Sequence, residues 1–146
     1  MKTKNSVVEM VDFVDNIKNI SAQKELSRLA NKYELIGSGR NRVTFKLKSG
    51  NYVIKFPLSE AGEGDNDWEA SIVSNKSEES DEIKYPKTRY VTLNGFVCVV
   101  MEFVDDLSSN PEEYWFLKED WFNSVDGGQV GKTKSGHIVA YDYGLN

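Results

Sequence analysis

The sequence predicts an α+β fold: a five-stranded antiparallel sheet with a helix packed on it, two N-terminal helices, and a small C-terminal helix and hairpin. Three observations carry this. Val43, Phe45 and Leu47 alternate with Thr44, Lys46 and Lys48, the period of a half-buried strand. Asn94-Gly95 separates a strand-like stretch, 88–93, from the apolar run 96–101, which is a strong hairpin signal. Helical spacing gathers at the N-terminus, where Val7, Met10, Val11, Val14, Ile17 and Ile20 fall on one face.

Taken in order, Ser6-Val7-Val8-Glu9 has the form of a capping box and opens the first helix. Ser21 caps a second, with Leu26, Leu29, Ala30 and Tyr33 inward. Strands then run through Glu34-Leu35-Ile36, into the glycine turn Gly37-Ser38-Gly39, and out along residues 43–48. Ser49-Gly50-Asn51 turns the chain into Tyr52-Val53-Ile54-Lys55. Residues 58–65 read as a Gly- and acid-rich loop, with Asp65 or Asn66 capping a helix through Val73. An acidic loop, 77–82, precedes the hairpin, whose return strand, continuous and apolar, is expected at the centre of the sheet. Asn110-Pro111-Glu112-Glu113 starts a helix reaching to about Phe122 and rich in aromatics. After Gly127-Gly128, residues 129–133 and 137–141 form a last hairpin.

Composition narrows the function. With 146 residues, 39% of them hydrophobic, there is room for one domain with one core. No apolar run reaches the roughly 20 residues of a membrane span, and the N-terminus lacks a signal-peptide core. A cytoplasmic protein with no membrane role is expected. The one cysteine, Cys98, lies in an apolar run and reads as a buried, inert thiol. Net charge is uneven: 11 Lys+Arg against 5 Asp+Glu over residues 1–55 give +6, and 7 against 18 over the remainder give −11. No basic stripe interleaved with aromatics appears, so nucleic acid is not expected as a partner. The acidic half reads as a solubilising surface or as a face for a protein partner, and the oligomeric state stays open.

Glycines over a sheet, with a lysine delivered by the third strand, suit polyphosphate: glycine lets backbone approach the oxygens, and the ammonium neutralises them. In order and context the chain resembles a protein kinase over residues 33–146, with 1–32 as a helical extension. Gly37-Ser38-Gly39 and Val43 resemble the glycine-rich loop, and Tyr52-Val53-Ile54-Lys55 resembles the Val-Ala-Ile-Lys strand. The resemblance implies that Lys55 touches the ATP phosphates and that Glu69 pairs with it. Met101-Glu102-Phe103-Val104 looks like the hinge, with Met101 as gatekeeper and the Glu102 and Val104 backbone groups facing adenine. Asp142-Tyr143-Gly144 resembles Asp-Phe-Gly, with Asp142 as the Mg²⁺ ligand.

The pattern also departs from the family. The loop's third glycine is missing, with Arg42 in its stead beside Val43, and the valine comes a residue early. The family places its catalytic aspartate five residues before a metal-binding asparagine. If Gln129 stands for that asparagine, the aspartate position is Ser124; if Asp126 is the base, Gly131 stands where asparagine should. The span between Met101 and Asp142 is short, and no activation segment is expected. Three readings are therefore expected: a truncated pseudokinase acting as a regulatory or binding module with ATP and Mg²⁺ optional; a minimal active ATP-dependent kinase using Lys55, Glu69, Asp142 and Asp126; or an inhibitor binding a protein through the acidic, aromatic surface from Asp105 to Trp121. The economy of the chain resembles virus-encoded kinase relatives.

Overall fold

The computed structural model describes residues 7–75, 85–107, 110–117 and 130–141. The fold is α+β. Helix α1 (Asn16–Lys32) leads into β1 (Glu34–Ser38), β2 (Arg42–Lys46) and β3 (Tyr52–Pro57). Helix α2 (Glu60–Asn75) follows, then β4 (Thr88–Leu93), β5 (Phe96–Glu102), β6 (Val104–Asp106), α3 (Pro111–Leu117), β7 (Val130–Thr133) and β8 (Ile138–Ala140). The first five strands form one antiparallel sheet in the order β1-β2-β3-β5-β4, and β6-β7-β8 form a second.

Local chemistry accounts for most boundaries. Asn94 (φ 50°) and Gly95 (φ 86°) both sit in the left-handed region, as a tight two-residue hairpin requires. Asn110 Oδ1 accepts from Glu113 N at 3.2 Å and starts α3. The apolar strand β5 is central, flanked by β3 and β4.

The N-terminal region differs from the expected pair of helices. Val7 and Val8 are helical, but the chain turns at Glu9-Met10 and has no regular secondary structure through Phe13. Asp15 then caps α1, its Oδ1 accepting from Lys18 N at 2.9 Å, and Ser21 lies in the helix interior. The apolar spacing therefore crosses a break, and Val14 and Ile17 end up 93% and 80% exposed. Ser6, residues 77–82 and the stretch from Trp121 to Gly128 lie outside the described residues.

Helix α2 starts earlier than its glycines suggest. Ser59 caps it, its Oγ accepting from Gly62 N at 3.3 Å. Gly62 serves packing: a Cβ there would come 2.1 Å from Asn41 O. Asn66 is no cap but a fully buried side chain bonded to two strands.

Register assigns the two faces of the large sheet. Val43 lies opposite Phe56, Phe45 opposite Ile54, and Thr44 opposite Lys55. Side chains alternate along each strand, so Val43, Phe45, Ile54 and Phe56 share one face while Arg42, Thr44 and Lys55 share the other. The apolar face packs with Phe96 and Cys98 against Leu26 and Leu29 of α1 and against Val7, Val11 and Phe13. Extension and sheet thus share one core.

Candidate functional site

The other face carries the chemistry, and α2 covers it. Strand β3 ends its pairing with β5 at Lys55↔Val99. Beyond that point Asn66 Nδ2 bridges the strands, donating to Val97 O at 2.8 Å and Lys55 O at 3.3 Å. Glu63 Oε2 accepts from Val97 N at 2.9 Å. These bonds satisfy backbone groups that the ladder leaves unpaired, and they seat α2 one turn before Glu69.

Glu69 then meets two cations. Lys55 Nζ lies 2.6 Å from its Oε1, and Arg42 Nη1 lies 2.6 Å from its Oε2. The same Arg42 nitrogen donates to Asn66 Oδ1 at 3.1 Å. Lys55 is fully buried, Arg42 is 4% exposed, and Glu69 keeps a 22% exposed side chain. Burying charge costs several kcal/mol per ion unless geometry repays it; here each carboxylate oxygen has its own cation. Thr44, fully buried opposite Lys55, completes this face.

The structure thus brings Lys55 and Glu69 together and adds Arg42 and Asn66, which sequence reasoning weighed as a displaced glycine and a helix cap. The signal was present in the alternation: Arg42 and Thr44 occupy the face that Lys55 shares. A polar alternation reads as a solvent face until a helix is known to cover it.

The glycine turn is tied down. Gly37 and Ser38 complete β1, paired with Thr44 and Val43, so the turn itself is at residues 39–41, closed by Gly39 N donating to Arg42 O at 2.9 Å. Asn41 Nδ2 donates to Asp65 Oδ2 at 3.1 Å, and Asn41 O accepts from Leu58 N at 2.8 Å. Gly37 and Gly39 are not among the positive-φ residues. Val43 turns away from Lys55 into the α1 core.

At the hinge-like segment, Met101 shares the face of Lys55, since it lies opposite Val53. Val53, Met101, Val104 and Val139, each 3% exposed or less, form one apolar cluster joining the two sheets, with Ile36, Phe103 and Tyr141 at its rim. Glu102 N donates to Lys87 O at 3.0 Å and Phe103 N to Asn51 O at 2.8 Å. Val104 lies in the β6–β7 ladder opposite Thr133.

Tested against ATP, both described ends of the site are packed. Lys55 and Arg42 are the kind of cations a polyphosphate needs, yet both are buried and paired with Glu69. A purine touching Val53, Met101 or Val104 needs their packing to part, since each is at most 2% exposed. Asp126, Gln129 and Asp142 lie outside the described residues. Among the described residues no group of three or more His, Cys, Asp or Glu could hold a metal ion.

Cys98 belongs to the opposite face of the sheet, in the α1-side core. Burial, reinforced by the Glu63 and Glu25 charges, pushes its thiol up to about 12, so it stays protonated and unreactive. His137 is exposed on the last hairpin, its Nδ1 3.2 Å from Ser135 Oγ. Among the described residues no helix is long and apolar enough to cross a membrane. Compared with known proteins, the chain matches no family model, no curated protein and no solved structure.

Proposed function

We propose that the chain is a kinase-like regulatory or binding module of the pseudokinase type, working through a protein partner, with ATP and Mg²⁺ dispensable and phosphotransfer inefficient. The observation that carries this is the packing along the expected nucleotide site. Lys55 is buried against Glu69, and Val53, Met101, Val104 and Val139 fill the base end. Phosphoryl transfer depends on positioning and charge stabilisation, and a pair that holds a helix to a sheet serves structure without either. Neither alignment of Ser124 and Gln129 nor of Asp126 and Gly131 supplies both a base and a metal ligand. The partner face we favour is acidic and aromatic: Trp115 is 67% exposed on α3, beside exposed Glu112.

Melting temperature with and without ATP·Mg²⁺, on the wild type and on Lys55→Ala, tests the proposal. The expected result is no measurable shift at millimolar nucleotide in either protein. A ligand at 100 times its dissociation constant adds about 2.7 kcal/mol, a rise of several degrees for a chain of this size. Such a rise in the wild type, abolished by Lys55→Ala, marks a working nucleotide site, and efficient phosphotransfer by that protein overturns the reading. A second reading, a minimal active kinase, is favoured by the 2.6 Å Lys55–Glu69 contact; its sign is autophosphorylation that Asp142→Asn abolishes.

A further inference from the structure

The attachment of α2 to the sheet has more anchors than a lysine–glutamate pair supplies. Glu69 gives one oxygen to Lys55 and the other to Arg42, each at 2.6 Å. Arg42 also reaches Asn66 Oδ1 at 3.1 Å, so it touches α2 at two positions three residues apart, on one face of the helix. It comes from β2, whereas Lys55 comes from β3. The two cations thus grip the same helix from different strands, and Arg42 grips it twice.

We propose that Arg42 is a positioning residue that holds Glu69, and with it α2, against the sheet independently of Lys55. The consequence is a fixed helix. Where a lone lysine–glutamate pair joins helix and sheet, loss of the lysine's contact frees the helix to move. Here that loss leaves Glu69 on Arg42 and Asn66 on Val97 O, so α2 does not report what Lys55 binds. A module whose partner reads one constant surface is served by such a lock. The inference stands on the α2 contacts alone and needs no nucleotide.

Hydrogen exchange of residues 60–71 in the full chain, followed by mass spectrometry, tests it on Lys55→Met, on Arg42→Met and on the double variant. With Lys55→Met, exchange in α2 is expected to stay within about threefold of wild type, and in the double variant to rise by more than about tenfold, beyond the product of the single effects. Arg42→Lys in the Lys55→Met background is expected to restore protection, which a loss of packing volume alone would not predict. Release of α2 by Lys55→Met alone, or failure of that variant to fold, overturns the proposal, because Arg42 and Asn66 would then be insufficient. So does a double variant that keeps its protection. ATP·Mg²⁺ is absent from every arm, so a failure of the functional reading and a failure of this one are read separately.

Discussion

The two faces of the large sheet are built from alternate residues of the same strands, yet they hold their covers by different physics. Toward α1 the sheet presents Val43, Phe45, Ile54 and Phe56, which meet Leu26, Leu29 and Phe13. Toward α2 it presents Arg42, Thr44 and Lys55, equally buried, which meet Glu69 and Asn66. Apolar burial is non-directional and tolerates exchange of similar volumes. The ionic face is directional: Glu69 serves two cations, and removing it leaves both without that carboxylate in low dielectric. One face supplies most of the stability; the other specifies where a helix sits.

The largest effect belongs to the apolar face. Phe56 is fully buried, its ring centroid 5.3 Å from that of Phe96. Phe56→Ala should cost about 3–5 kcal/mol, read by urea unfolding at constant m-value. A loss under about 1 kcal/mol would mean that the α1 side is not the main source of stability.

Next comes Glu69→Ala, which leaves Arg42 and Lys55 without their shared carboxylate. The loss should be about 2 kcal/mol, below the roughly 3–5 of a fully buried pair because part of the side chain sees water. Glu69→Gln should lose less, since its amide oxygen still accepts. Equal losses would make net charge unimportant at this face.

The pH dependence of Cys98 is smaller at ordinary pH and sharpens the apolar side. Its thiol is held up to about 12 in the fold, against 9.0 unperturbed. The unfolded chain therefore releases this proton first, so the stabilisation is intact below pH 9 and erodes as pH rises from 9 toward 12. The expected slope approaches about 1.4 kcal/mol per pH unit, read as a steeper fall in the wild type than in Cys98→Ala. Parallel curves would place the thiol in water.

The smallest effect is expected at Ile17, 80% exposed on α1. Ile17→Ser should change stability by less than about 0.5 kcal/mol. A larger loss would restore the continuous apolar helix face that the spacing suggests.

Legibility followed how local the cause was. Strand β4 was readable from the Asn94-Gly95 turn that ends it, and α3 from Asn110-Pro111, because the residues that set these boundaries sit within a few positions of them. The start of α2 was not readable. Gly62 and Gly64 look like loop residues, and only the proximity of Asn41 O explains the first of them. In the site, Lys55 and Glu69 were legible through their order along the chain. Arg42 was not, since its partners Asn66 and Glu69 lie 24 and 27 residues away.

By itself the sequence determined most of the strands, the Asn94-Gly95 turn, the central place of β5 and the burial of Cys98, since alternation and turn chemistry act over a few residues. It missed β6 and set the first turn two residues early. The tertiary structure alone decided which side of each strand faced which cover. That choice turned Val43 away from the site and brought Arg42 into it. The physical reason is that a strand's polar face is a solvent face only until a helix lies across it. Whether a buried cation there is tolerable depends on a carboxylate that the fold brings from elsewhere in the chain.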